Sequence, residues 1–414
     1  MALLGMIRLV LASQPQWVTS GWALALLLVA LILVFIQYRR VSSSETELYG
    51  IPKHSPIAET LFSLLVGVIG GVAGSLVLSL AGIGLVELPG TASALLFLWP
   101  VSVVLGAINP RFICFAYSAT LISVVSLATG WPRVDVPSLV GLVGVIHMVE
   151  ALLIWLSGAS CATPMSINGQ REEAVPGFRL QRYWPVPLII PLFSISGTPP
   201  VAMPDWWPLL QPDPGLLTAG ASFAWQLVPI VVTMGYSDLA IAAPPHSRVR
   251  QSARNLLIYA GVLLVLAVLA THFRPVVWVA ALFCALGHEA MAVLSGRMQM
   301  LGVPYLRRPV RGVGVLDVLP GSPAALGGIK TGAVIATVDD LEVHSREDLH
   351  EALMSAQSFV RIMYRNGRQL EHCRMPRPPE GLLGLGVILL PEPGDEAMTK
   401  LGRPAFFRYS GLER

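Results

Sequence analysis

Apolar residues run almost unbroken over about 17–38, 60–86, 92–108, 112–129, 138–157, 216–234, 255–273 and 275–295. Each run is close to the roughly 18 residues that carry a helix across a bilayer. Between the fifth and sixth lies 184–203, WPVPLIIPLFSISGTPPVAM, equally apolar but crowded with proline, which a clean helix does not tolerate. After Gly296 the pattern changes to short alternating stretches punctuated by glycine. These patterns predict a polytopic α-helical membrane domain of eight or nine spans over 1–296 and a linker over 297–310. A small α+β domain follows over 311–395, with a short tail over 396–414.

Composition agrees with that division. Of 414 residues, 54% are hydrophobic and 13% charged, about half the charged share of an ordinary soluble protein. The run 17–38 is too long for a signal-peptide core and has no small-residue cleavage site, so it reads as a retained span. Cys114, Cys161, Cys284 and Cys373 form no CxxC pair, which points to neither a disulfide framework nor a thiolate metal site. A net charge of +3 gives no reason to expect nucleic acid.

The basic residues bear on whether 184–203 crosses. Residues 1–296 hold thirteen Arg and Lys. With the C-terminal domain taken as cytoplasmic, a non-crossing segment leaves five of them inside and eight outside. A crossing segment places Arg39, Arg40, Lys53, Arg111, Arg171, Arg179, Arg182, Arg248, Arg250 and Arg254 inside, ten against three. The positive-inside rule favours the crossing, as a broken helix, with the N-terminus outside. Pro204-Asp205-Trp206-Trp207 then sits at the outer interface. In the second span Gly67/Gly71 and Gly70/Gly74 form overlapping GxxxG pairs, a smooth face for close packing within the chain or for dimerisation.

In the C-terminal domain, a strand before Gly321-Ser322-Pro323 leads into a short helix capped by Ser322. Glycines 327, 328 and 332 turn the chain into a second strand. Ser345-Arg346-Glu347-Asp348 starts a helix with Leu349, Ala352, Leu353 and Ala356 on one face. Residues 360–375 read as a hairpin around Asn366-Gly367, a pair favoured in type I′ turns. This order resembles a bacterial PDZ domain over about 311–390, with Ala333 where many relatives carry Asp. The Leu-Gly-Val signature comes late, at Leu385, Gly386 and Val387, so the pattern resembles a circularly permuted form. The resemblance implies a peptide-binding groove between 385–390 and the 346–356 helix, lined by Leu385, Gly386, Val387, Leu349 and Leu353. A peptide would add there as a strand. Gly321-Ser322-Pro323 is a helix start and not a nucleophile elbow.

Four ionisable residues sit inside apolar runs: His147, Glu150, His288 and Glu289. Gly287-His288-Glu289-Ala290 resembles the opening of HExxH, in which two histidines one turn apart hold zinc and the Glu is the base. Here Ala292 replaces the second histidine, and Asn109-Pro110-Arg111 lacks the Asp of an Asn-Pro-Asp-Gly ligand motif. Intramembrane proteolysis is therefore disfavoured and no metal is expected. His147 and Glu150 share a helix face. Glu150 and His288 could satisfy each other across a helix interface, or the group could serve partner binding or transport.

The stretches 147–164 (HMVEALLIWLSGASCATP), 180–187 (LQRYWPVP) and 235–239 (GYSDL), the Gly-His-Glu, and the single C-terminal PDZ domain together resemble the MinJ family. That resemblance implies a scaffold of division-site selection in the bacterial cell membrane, at septum and poles, with its PDZ domain cytoplasmic. It implies protein partners: a polar scaffold of the DivIVA kind, the MinC–MinD inhibitor and the division machinery. It implies no cofactor and no enzymatic activity. The alternatives are a degenerate intramembrane metalloprotease built on His288-Glu289, or a PDZ-regulated transporter.

Overall fold

A computed structural model describes residues 2–86, 94–168, 174–194, 203–211 and 224–395. In chain order the membrane half contains α1 (Ala2–Ser13), α2 (Gln16–Thr19), α3 (Gly21–Tyr49), α4 (Pro56–Ala81), β1 (Leu85–Val86), α5 (Ala94–Ile108), α6 (Phe115–Thr129) and α7 (Val136–Ser157). It continues with β2 (Ala162–Asn168), β3 (Ala174–Ser194), β4 (Ala224–Ala240), α8 (Pro245–His272) and α9 (Arg274–Leu301). Among the described residues α3, α4, α7, α8 and α9 are long and apolar enough to cross a membrane, and the apolar parts of α5 and α6 are shorter.

Two expected helical spans are strands. The apolar runs 184–203 and 216–234 supply β3 and β4, paired antiparallel from Phe178↔Ala240 to Ser194↔Ala224. Residues 195–202 and 212–223 of that region lie outside the described residues. Hydropathy is equally high in both conformations, but the prolines are compatible only with the strand. Pro185, Pro187 and Pro191 lie at even spacing, so all three turn to the same edge of β3. That edge faces α4, where a strand would otherwise leave bare N–H groups in an apolar interior.

Each odd residue along this edge has its own solution. The Tyr183 amide donates to the Tyr38 hydroxyl at 3.2 Å. Pro185, Pro187 and Pro191 have no N–H, and the Ile189 amide donates to Ser75 Oγ at 2.8 Å. The proline carbonyls point at glycines: a Cβ on Gly67, Gly71 or Gly84 would lie 2.1, 2.0 and 2.1 Å from the oxygens of Pro185, Pro187 and Pro191. Only the glycine hydrogen fits there, in the geometry of a weak Cα–H···O contact. The overlapping pair, Gly70 and Gly74, turns to α7 instead, where a Cβ would meet Leu153 at 2.7 Å and Val149 at 2.6 Å. The GxxxG faces thus pack within the chain, one of them against a strand.

At the β2 end of the hairpin, buried Arg182 donates to Ser63 Oγ at 3.0 Å, to Cys161 Sγ at 3.1 Å and to the Glu59 carboxylate. Arg248 does the same for the start of α8, with Asp238 and Ser295 Oγ each at 2.8 Å. At the opposite end Trp207 is buried and its indole donates to Ser79 O at 3.0 Å, while Trp206 is exposed.

The C-terminal domain comprises β5 (Val313–Val318), α10 (Pro323–Leu326), β6 (Val334–Val338), β7 (Leu341–Glu342), α11 (Arg346–Ser355), β8 (Phe359–Asn366), β9 (Gln369–Pro376), α12 (Leu382–Leu385) and β10 (Val387–Leu389). Its sheet order is β10-β5-β6-β8-β9, with β7 on β6. The expected caps are present: Ser322 Oγ accepts from the Ala325 amide, and Ser345 with Asp348 forms a capping box. The β8–β9 turn differs in detail. Asn366 pairs with Gln369, so Gly367-Arg368 is the two-residue loop, and of these Gly367 alone has positive φ. That is the pattern of a II′ turn and not the expected I′.

The domain is docked on the membrane half. Asp317 of β5 accepts from Lys53 Nζ at 2.6 Å and from the Tyr49 hydroxyl at the end of α3. Leu316 and Leu390 join the apolar core of the membrane half alongside Leu306.

Substitutions on the glycine face test the helix–strand contact. Gly67→Ala and Gly71→Ala should each destabilise the purified protein by about 3 kcal/mol or more, since neither backbone can yield. Gly261→Ala, with nothing near its Cβ position, should leave the melting temperature unchanged or raised. Ser75→Ala should cost about 1–3 kcal/mol, because the buried Ile189 amide loses its acceptor. Thermal unfolding in detergent, followed by tryptophan fluorescence, reads all four.

Candidate functional site

Two places bring chemistry-bearing residues together. The first is the free edge of the C-terminal sheet. β10 is the terminal strand, paired through Val387↔Val318 and Ile388↔Asp317 with β5, and its other edge has no partner strand among the described residues. Leu349, Leu353, Leu385 and Val387, read from the sequence as lining a groove, are all buried in one core cluster. Of the exposed side chains of α11, His350 and Met354 face the turn before α12, 2.7 and 3.4 Å from where a Cβ on Gly381 would sit.

The turn before β10 is closed. The Leu385 amide bonds to Gly381 O at 3.0 Å, and the Gly386 amide to Leu383 O at 3.1 Å, within α12. Gly386 has φ of +76°, and a Cβ there would fall 2.3 Å from Ser322 Cβ. A side chain at 386 therefore disturbs the fold before it meets any ligand. Near the start of α11, hydrogen bonds from the His344 amide and from Ser345 hold the Asp348 carboxyl below the usual carboxylate range. The Arg346 amide donates to Glu392 at 2.7 Å and its guanidinium to Asp395 at 2.6 Å, tying the chain after β10 back onto the helix.

The second place lies among the helices. α5 and α6 have 15 residues each, roughly 22 Å apiece, short of the roughly 30 Å hydrocarbon core. The turn between them presents Arg111 and Cys114. His147 lies eleven residues into α7 and His288 fourteen into α9, roughly 16 and 21 Å along their helices. The α5–α6 turn thus reaches the middle of the bundle. Such irregular backbone is tolerated at depth only where protein surrounds it.

Cys114 Sγ lies 3.3 Å from His147 Nε2 and 3.9 Å from His288 Nε2. His147 Nδ1 is 2.8 Å from Val143 O, which assigns its hydrogen to Nδ1 and leaves the Nε2 lone pair facing the sulfur. Glu150 Oε2 is 4.0 Å from His147 Nε2. The expected pairing of Glu150 with His288 does not form: Glu150 stands beside His147, and His288 faces Cys114, His147, Tyr117 and Tyr259. Glu289 pairs with Arg111 and accepts from the Tyr117 hydroxyl at 2.6 Å.

The neighbour of His288 is thus engaged on both oxygens and is not poised as a general base, and Ala292 offers no ligand. Arg111, third residue of the incomplete Asn-Pro motif, supplies the counter-charge to that Glu. Sequence reading missed Cys114 because it stands 33 residues from His147 and 174 from His288. No local spacing signals the group.

No family model matches the chain. The crystal structure of the PDZ domain of an SdrC-like protein from Listeria monocytogenes aligns at 23% identity, covering 20% of this chain and 94% of that one, with a TM-score of 0.18. The chain is similar to the cell division topological determinant MinJ of Bacillus subtilis (strain 168), at 22% identity over 235 residues, 57% of this chain and about half of that protein, 55%.

Proposed function

We propose that the protein is a membrane-anchored PDZ adaptor of division-site selection. It would hold a polar scaffold of the DivIVA kind, the MinC–MinD inhibitor and the division machinery at septum and poles, with the PDZ domain in the cytoplasm. The observation that carries this reading is a terminal strand with an unpaired edge, in a domain fastened to a polytopic membrane half, in a chain similar to a division determinant. The late position of β10 is read as circular permutation: the strand that closes the sheet comes last among the described strands. The positive-inside count supports the orientation, since Lys53 touches the C-terminal domain and belongs to the larger charge set.

The mode follows from the edge. An extended segment pairing with β10 would gain backbone hydrogen bonds, and side chains opposite His350 and Met354 would select it. The Leu385 and Gly386 amides are engaged within α12, so strand pairing and not carboxylate capture is the mode this conformation favours. Adaptor work also needs no general base. Glu289, the residue an intramembrane protease would require, is held by Arg111 and Tyr117.

Gly386→Glu would confuse loss of fold with loss of binding. The cleaner variant is the exposed pair His350→Glu and Met354→Glu in the full chain. Membrane insertion and melting should be unchanged, while recruitment of the division inhibitor to septa and poles, imaged with fluorescent fusions, should fall by tenfold or more. Undiminished recruitment by a well-inserted double variant would move the recruiting surface to the membrane half.

A further inference from the structure

Among the described residues, two side-chain groups in the membrane half have the composition of a metal site: Cys114, His147 and His288, and His54, Glu59 and Cys161. The second is already spent. Glu59 is paired with Arg182, His54 with Glu45 at 2.6 Å, and the Cys161 sulfur accepts from Arg182. In the first group no cation among the described residues is paired with any member, and the ligand atoms lie within 4.8 Å of one another.

We propose that Cys114, His147 and His288 hold a zinc ion in the middle of the helix bundle, with Glu150 as the fourth ligand. Tetrahedral zinc, with bonds of about 2.3 Å to sulfur and about 2.05 Å to nitrogen, separates sulfur from nitrogen by about 3.6 Å. The observed separations of 3.3 and 3.9 Å bracket that value. His147 donates through Nδ1 to the Val143 carbonyl, the arrangement that fixes a ligating imidazole with its other nitrogen toward the metal.

Hydrogen bonding alone serves this group poorly. One thiol proton faces two imidazole nitrogens, and His288 Nδ1 has no partner among the described residues. Glu150 makes no hydrogen bond among the described residues, its carboxylate standing 4.0 Å from His147 Nε2. An ion bound by one thiolate, one carboxylate and two neutral imidazoles carries no net charge. The protons of the Cys114 thiol and the Glu150 carboxyl are released to solvent on binding. That neutrality suits the interior of a membrane, where an unbalanced charge is expensive.

Nitrogen and sulfur donors within 4.8 Å of one another, with a carboxylate one turn further along α7, suit zinc before magnesium or calcium. Four protein ligands close the site, and no ligand position remains for a reactive water. The ion would tie the α5–α6 turn to α7 and α9, a structural role separate from the PDZ edge.

The test uses the full chain, made in zinc-replete medium, purified in detergent without chelator, and freed of any polyhistidine tag. Metal content across the first-row transition series should show stoichiometric zinc. It should drop at least tenfold in Cys114→Ser, His147→Asn and His288→Asn, and persist in Cys161→Ser and Cys284→Ser. Reconstitution with Co2+ should give a sulfur-to-cobalt charge-transfer band that Cys114→Ser abolishes. Should the variants fail to fold, the parent protein still decides. A chelator should expose Cys114 to alkylation, mapped by mass spectrometry, and added Zn2+ should protect it again. A parent that takes up no zinc, zinc content unaffected by Cys114→Ser, alkylation insensitive to Zn2+, or stoichiometric copper or iron in place of zinc would each overturn the assignment.

Discussion

An extended strand inside a bundle of apolar helices must hide every N–H and C=O along both edges, and the membrane half is organised by that need. β4 takes one edge of β3 over its length from Phe178 to Ser194. The other edge pairs with β2 over Ala174–Leu180 and with β1 at Leu192 and Phe193; between them it meets α4, and a helix has no backbone groups to lend. The strand removes its own donors with Pro185, Pro187 and Pro191, and gives the remaining two to Ser75 and Tyr38. The helix removes its own Cβ atoms with glycine, so the strand's carbonyls can approach. Either half alone would fail: prolines without glycines would clash, and glycines without prolines would leave orphan amides, each costing about 1–3 kcal/mol.

The same hairpin places the polar groups that surround it. Arg182, on the even face of β3, reaches Glu59 and Ser63 of α4 and the sulfur of Cys161, with its guanidinium 5.3 Å from the centre of the Tyr38 ring. Trp184 donates to Ser157 at the end of α7. One strand therefore joins α3, α4 and α7 at a common level. α7 is then held on both sides, by β3 through α4 and by α8. His147 and Glu150 project from its central turns toward the α5–α6 turn. A re-entrant turn carrying Arg111 is acceptable there because Glu289 neutralises it.

How much of this could be read in the chain differs between its halves for a physical reason. Capping and turn chemistry are local, so Ser322, Ser345 with Asp348, and Gly367 announced the C-terminal elements, and only the turn type around Gly367 differed. Hydropathy is not conformation-specific. The runs 184–203 and 216–234 carry enough apolar residues to cross as helices, and a window average cannot tell that they are strands. The signal was present in another form: three prolines at even spacing mark one edge of a strand, and glycines four apart in α4 mark its receiving face. The Cys114–His147–His288 group had no such signal. Its members come from a turn and two helices far apart in sequence, and only the depth of the α5–α6 turn brings them together.

The docking of the C-terminal domain follows from the way α3 ends. α3 runs to Tyr49, and Gly50 closes it in the left-handed region with its amide on Thr46. The chain then doubles back so that Lys53 and Tyr49 meet the same carboxylate, Asp317, on β5. The lysine and aspartate side chains are 13% and 7% exposed, so their attraction is poorly screened and each needs the other. Asp317 lies opposite Ile388 in the β5–β10 ladder. The contact therefore fixes the strand beside the free edge and not a remote part of the domain. β10 is thereby held at a set angle to the helix bundle. Orientation of that edge relative to the helices, and not its exposure alone, is what this attachment supplies.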